Sequence, residues 1–196
     1  MDVFHVLLII CWVFYYALHS VLASFTIKRA FERWLGRWYR YYRLAYTIIA
    51  AVGLVAILIY QYSIYTTILW EPRAVAYLAG GILAVTGIII MAICVKKYFY
   101  QLSGVQSVCE ADPTGALRTD GIHQRMRHPL YAGTLLFVWG LFFVFPFINN
   151  LIAVILLTTY VYIGIVLEER KLVLIYGEQY KSYRRHVPML IPRLKA

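Results

Sequence analysis

Charge is scarce in this sequence, and acidic charge scarcest: charged residues make up 14% of the chain, nine Asp and Glu against nineteen Lys and Arg. Soluble globular domains carry about 25% charged residues and about 45–50% apolar ones, whereas the apolar share here is 62%. A soluble fold of 196 residues could not hide that much apolar surface, so the bilayer must serve as its solvent. Cysteine is nearly absent as well. Cys11, Cys94 and Cys109 are too few and too scattered for a disulfide framework or a zinc cluster, and no metal site is expected. Cys11 and Cys94 fall inside apolar runs, where cysteine acts as a small buried hydrophobe; Cys109, in a polar loop, has no recognisable catalytic partner. No Gly-x-Gly-x-x-Gly loop follows a strand, which argues against a dinucleotide-binding domain. The opening Met1-Asp2-Val3 brings no basic n-region and no small-residue cleavage site follows, so the first apolar segment reads as a retained helix.

What is present is a series of charge-free runs. A bilayer core needs about 20 apolar residues per helix. Five segments qualify or nearly do: Val3–Ala23, Leu44–Tyr62, Ala74–Val95, Leu130–Ile148 and Leu151–Leu167. In the third, Ala76, Gly80 and Ala84 recur at four-residue spacing with Gly87 one turn on, a row that lets another helix pack closely. His5 and His19 share a face of the first segment, but fourteen positions, about 21 Å, separate them, too far to hold one iron.

The net charge of +10 would suggest nucleic acid in a soluble protein; here the basic residues flank membrane spans, and no nucleic-acid partner is expected. Lys28, Arg29, Arg33, Arg37, Arg40 and Arg43 lie between the first two spans, and Lys96, Lys97, Arg118, Arg125 and Arg127 follow the third. The opposite side has Asp2, Glu71 and Arg73, and the turn Asn149-Asn150 is uncharged. The positive-inside rule therefore places the N-terminus outside and the C-terminus in the cytoplasm, which five spans satisfy. Within residues 27–43, Phe31, Trp34, Leu35 and Trp38 follow helical spacing among basic residues. This predicts an amphipathic helix in the cytoplasmic headgroup layer, an anchor or else the wall of a lipid entrance. The expected class is an all-α membrane domain over 1–196, with three amino-terminal spans in 1–98 and a hairpin plus tail in 99–196.

The chemistry concentrates after Gly115. Arg127 and His128 precede Pro129, a residue suited to the first helical position, so they and Tyr131 surround a helix start whose free amides favour anions. Glu168 and Glu169 follow the fifth apolar run, where adjacent carboxylates are costly to desolvate unless paired. The last two runs must form an antiparallel hairpin. Pro129 lies 19.5 positions before the midpoint of Ile148 and Asn149, and Glu168 lies 19.5 after it. Each arm is then roughly 29 Å, one bilayer core, and Glu168 returns to the depth of Arg127 and His128. Such a site offers carboxylates to a cation, an arginine to a carboxylate and aromatic rings to a flat ring; the same residue types also suit a structural ion pair between Arg127 and Glu168.

The ordered set Gly121, Arg127-His128-Pro129-Leu130-Tyr131, Glu168-Glu169, Gly177, Tyr180, Tyr183, Val187-Pro188 and Ile191-Pro192 resembles the isoprenylcysteine carboxyl methyltransferase family and its phospholipid and thiol methyltransferase relatives. It covers a little over a third of the chain; the amino-terminal spans match only in being hydrophobic. The resemblance implies a membrane fold without a Rossmann domain that binds S-adenosylmethionine through its carboxyl-terminal half. Carried over, it marks Arg127 and Glu168 as catalytic, and His123, Arg127, His128, Tyr131, Glu168, Glu169, Tyr180 and Tyr183 as cofactor-binding. His123 stands where many relatives have an aromatic residue, and a solvated loop histidine is its alternative reading. The tail, Tyr176 through Arg193, alternates aromatic and basic residues and is expected to fold back on the membrane surface, as a cofactor lid or a plain interfacial helix. The implied partners are the lipid bilayer and a hydrophobic methyl acceptor: an isoprenylcysteine-type carboxylate, with a phospholipid amine or a small thiol as alternatives. A nicotinamide-dependent reductase of the sterol type shares part of the pattern, but no phosphate clamp accompanies it here. Nothing in the sequence fixes an oligomeric state.

Overall fold

The computed structural model describes residues 2–102 and 117–192. Cys109, Gly115 and Arg193 lie outside the described residues, and so does the side chain of Lys97. The helices are α1 (Val3–Ala23), α2 (Phe25–Leu35), α3 (Tyr42–Ser63), α4 (Ala74–Leu102), α5 (Pro129–Val144) and α6 (Ile148–His186), with 3₁₀ turns at Gly36–Tyr41 and Gly121–Gln124. Among the described residues, four helices are long and apolar enough to cross a membrane: α1, α4, α6 and the stretch Thr26–Ser63 that contains α3; α5 is a shorter apolar helix. The chain divides into two compact units, one including 2–67 and Phe147–Leu156, the other including Ile68–Lys97, 117–146 and 157–192.

In the first unit α1 packs on α3. His5, Leu8, Trp12 and Tyr16, three or four residues apart, form the buried stripe of α1. Tyrosines tie the antiparallel pair: Tyr60 donates to the Phe4 carbonyl (3.2 Å), Tyr15 to that of Ala50 (3.1 Å) and Tyr42 to that of Leu22 (2.7 Å). His19 sits 2.7 Å from the Tyr46 hydroxyl, and Cys11 is half-buried. At one end is a buried amide cluster. Trp12 Nε1 donates to Gln61 Oε1 (3.1 Å), Gln61 Nε2 to Asn150 Oδ1 (3.0 Å) and Asn149 Nδ2 to the Gln61 carbonyl (2.9 Å). In an apolar solvent these amides have no water to fall back on, so they find one another.

Three local expectations are corrected. Residues 27–43 are not one helix. Ser24 caps α2 by accepting from Ile27 N, but Gly36, at φ 51°, stops it, and Trp38 falls in the 3₁₀ turn. The fourth span does not reach Ile148. Pro146 disfavours the α region for the residue before it, Phe145 takes φ −124°, ψ 75°, and α5 ends at Val144. Asn149 and Asn150 are not turn residues; they open α6 and are buried.

In the second unit the small-residue row does what its spacing suggested. A Cβ on Gly80 would lie 2.7 Å from the Gly140 carbonyl oxygen, and one on Gly87 would lie 2.5 Å from that of Gly133. The α4 and α5 backbones thus touch, with Ala84 buried between the two crossings and Cys94 buried further along α4. Gly140→Ala places a carbon 2.5 Å from the Ala84 nitrogen, whereas Gly81→Ala meets nothing within 4 Å. In thermal unfolding of the detergent-solubilised protein, Gly140→Ala should cost about 1–3 kcal/mol. Gly81→Ala should stay within about 0.5 kcal/mol of the native protein.

Candidate active site

The start of α5 is built by its sequence. Pro129 occupies the first turn with its missing N–H where none is needed, and His128 caps it at φ −123°, ψ 64°. The 3₁₀ turn Gly121–Gln124 brings His123 beside this end, where its Nδ1 lies 3.1 Å from the Arg127 carbonyl oxygen. The hairpin register follows the counting argument: Trp139 Nε1 donates to Thr158 Oγ1 (3.1 Å), and nearer the mouth Tyr131 donates to Glu168 Oε2 (3.1 Å).

The two glutamates have different surroundings. Glu169 is buried beside Arg127, with Nε at 2.7 Å and Nη2 at 2.6 Å from its Oε1. His128 Nε2 lies 3.2 Å from the same oxygen, and Arg184 Nη1 is 3.8 Å from Oε2. The Glu168 side chain is 44% exposed, against 11% for Glu169. The His128 ring stacks on Tyr131 with centroids 5.7 Å apart, and its Nδ1 is 3.8 Å from Glu168 Oε2. The structural ion pair of Arg127 is therefore with Glu169.

Arg127 also holds the tail. Its Nη1 donates to the carbonyls of Arg184 and Val187. Its backbone N–H donates to the Pro188 carbonyl (2.9 Å), and that of His128 to Met189 (3.1 Å). The chain can return because Gly177 interrupts α6 at φ 53°, ψ −127°, a conformation that residues with a Cβ rarely take. Tyr183 donates to the His123 carbonyl (2.6 Å), and its ring lies 5.9 Å from that of Tyr180. Tyr180 is almost fully buried, and its hydroxyl has no hydrogen bond of good geometry among the described residues. Burial, then the neighbouring Glu169 charge, pushes that phenol well above its ordinary pKa. For Glu169 burial pushes the pKa up, but the hydrogen bonds and charges of Arg127 and His128 outweigh it and hold the carboxyl below its ordinary value.

All eight expected site residues lie in the second unit, and these contacts link each of them to at least one other. Sequence reasoning missed the carbonyls of Arg184, Val187, Pro188 and Met189 as partners; the Val187-Pro188 pair in the resemblance was the available signal. Two surface concavities, one lined by Val55, Leu58, Ile59, Tyr62 and Ser63 and one by residues around Trp70, are lined by none of these eight residues.

The phospholipid methyltransferase family model matches residues 75–179, more than half of the chain and the stretch that holds Arg127 and Glu169. The chain belongs to this family. It is 30% identical over 191 residues to methanethiol S-methyltransferase 2 of Bradyrhizobium diazoefficiens, covering 91% of this chain and 69% of that one. To methanethiol S-methyltransferase 1 of the same organism it is 27% identical over 197 residues, 90% of this chain and 64% of the relative. Protein-S-isoprenylcysteine O-methyltransferase of Schizosaccharomyces pombe is 37% identical over 79 residues, 39% of this chain and 33% of the relative. In several of the curated relatives it matches, the chain spans less than two thirds of their length. No solved structure matches it significantly. The resemblance to isoprenylcysteine carboxyl methyltransferases and their relatives therefore stands.

Removing Arg127 strands a buried carboxylate. Arg127→Ala should cost about 3–5 kcal/mol in thermal unfolding. Glu168→Ala should cost about 0–1 kcal/mol, because its carboxylate is half-exposed. The depressed Glu169 pKa contributes stability that is full above the ordinary value of 4.5 and is lost as pH falls through the lower folded value. An unfolding series from about pH 7 down to about pH 3 should show this acid-side loss in the native protein and not in Glu169→Gln.

Proposed function

We propose that the chain is a multi-pass membrane enzyme that transfers the methyl group of S-adenosylmethionine to a small hydrophobic thiol. The observation that carries the reading is the division between the glutamates: Glu169 is neutralised inside the site, while Glu168 offers a half-exposed carboxylate beside aromatic rings. These residues fit the donor. Glu168 suits its amine as a charge-assisted acceptor, and the stacked His128 and Tyr131 offer a flat surface. Tyr180, whose buried hydroxyl has no hydrogen bond of good geometry among the described residues, and Tyr183 suit the adenine side, with His123 behind them. When bound, S-adenosylmethionine supplies an electrophilic methyl carbon on a sulfonium.

Displacement at such a carbon needs alignment more than acid–base power, and a thiol reacts as its thiolate. A thiol with a pKa of about 8.5 or above is mostly protonated at neutral pH, and His128, beside Glu168, is the group placed to accept its proton. Arg127 acts by positioning: with its guanidinium engaged by Glu169 and the tail carbonyls, it fixes His128 and the tail around the reacting groups. Support for the thiol comes from the relatives named methanethiol S-methyltransferases. An isoprenylcysteine-type carboxylate is the second reading, favoured by the Schizosaccharomyces pombe relative.

In this reading residues 1–98 provide three membrane spans and the basic interfacial segment, and residues 99–196 the donor-binding hairpin and tail. The basic loops put the N-terminus outside, and the site and C-terminus at the cytoplasmic face.

The test is donor binding followed by acceptor choice. S-adenosylhomocysteine should bind the purified protein, and Glu168→Gln should weaken it about tenfold or more. Labelled methyl from the donor should enter methanethiol in preference to farnesylcysteine or phosphatidylethanolamine. Binding of NADPH without any response to S-adenosylhomocysteine would sink the methyltransferase reading, and labelling of farnesylcysteine alone would replace the thiol by the carboxylate.

A further inference from the structure

At the far end of α4 and α5 from Arg127 lies a groove unused by the reading above. Phe143, in its wall, is fourteen residues along α5 from Pro129, about 21 Å. The groove, open along one side, offers about 510 Å³, within the roughly 300–1,000 Å³ of small-ligand sites. Ala76, Ala79 and Leu83 line it on one face of α4, where the two alanines leave the space, and Phe143 forms the other wall. Its mouth is held in place. The Leu69 N–H donates to the Pro146 carbonyl (2.8 Å), and the Trp70 ring packs edge-on against Phe142 with centroids 5.3 Å apart.

Glu71 and Arg73 also line the mouth, on either side of Pro72. Both are exposed, and neither forms an ion pair with a described residue. Opposite charges at the open end of an apolar furrow, next to a tryptophan suited to the membrane interface, match one kind of bilayer molecule. A phosphate suits Arg73, a quaternary ammonium suits Glu71 and the Trp70 face, and an acyl chain suits the alanine furrow. A lipid with net negative charge would meet Glu71 without a cation to offer it, and an uncharged lipid would leave both charges unanswered.

We propose that this groove is a binding site for a zwitterionic phospholipid, held by Arg73, Glu71 and Trp70 at its headgroup and by Ala76, Ala79 and Leu83 along one chain. The site is separate from methyl transfer. Phosphatidylcholine is the probe that keeps the two apart, because its nitrogen has no proton to exchange for a methyl group.

The full chain in detergent is equilibrated with equal amounts of dioleoyl phosphatidylcholine, dioleoyl phosphatidylglycerol and dioleoylglycerol, and retained lipid is read by native mass spectrometry. Phosphatidylcholine should be retained about fivefold over each of the other two. Arg73→Gln and Glu71→Gln, single changes at exposed positions, should each erase that preference, and Ala79→Phe should lower retention of all three lipids. Glu168→Gln should leave the preference intact. Equal retention of the three lipids by the native protein overturns the proposal. So does a preference that survives Arg73→Gln, or one lost in Glu168→Gln.

Discussion

The contact on which the site depends is the buried pairing of the Arg127 guanidinium with the Glu169 carboxylate. Each charge alone would be prohibitively costly out of water; together, and with the Val187 and Arg184 carbonyls accepting from Nη1, they are tolerated. The same arginine joins three stretches distant in sequence: the start of α5, the late part of α6 and the returning tail. Because His128 shares the Glu169 oxygen, its ring is oriented by that pair, and the ring in turn stacks on Tyr131 beside Glu168. A half-exposed carboxylate is thus supported by a buried, paired one next to it in the chain.

A buried amide cluster obeys the same rule with different chemistry. Trp12, Gln61, Asn149 and Asn150 form a neutral cluster in the first unit, and there are no charges to balance. Where α4 meets α5 the second unit relies on glycine instead, so that backbones make the closest contacts, with a Thr134 hydroxyl donating to Met91 Sδ (3.6 Å) alongside.

Much of this was legible from residue order. Charge-free runs located the helices because a span must be apolar throughout, and α1 coincides with its run. The hairpin count returned Glu168 to the depth of Arg127 and His128 because helical rise is constant, and the structure has it accepting from Tyr131 at that mouth. The row of Gly80, Ala84 and Gly87 announced a close crossing. The failures were local in origin. Which glutamate Arg127 would choose depends on the rotation of α6 at its mouth, which counting along the axis does not give. The break at Gly36 and the reversal at Gly177 are backbone choices open to any glycine, and spacing does not say which will use them. Asn149 and Asn150 resembled turn residues because their partner Gln61 lies almost ninety positions away, invisible to any local pattern.

The early end of α5 has a consequence for the surrounding lipid. Its 16 residues rise about 24 Å, whereas a hydrocarbon core is about 30 Å thick. That hydrophobic mismatch falls on the bilayer, which thins or admits headgroups beside a helix too short for it. Beside a helix of that length water and lipid tails are brought closer together. In the proposed methyl transfer, a polar donor and an apolar acceptor, which otherwise partition into different phases, would have their shortest path to one another there.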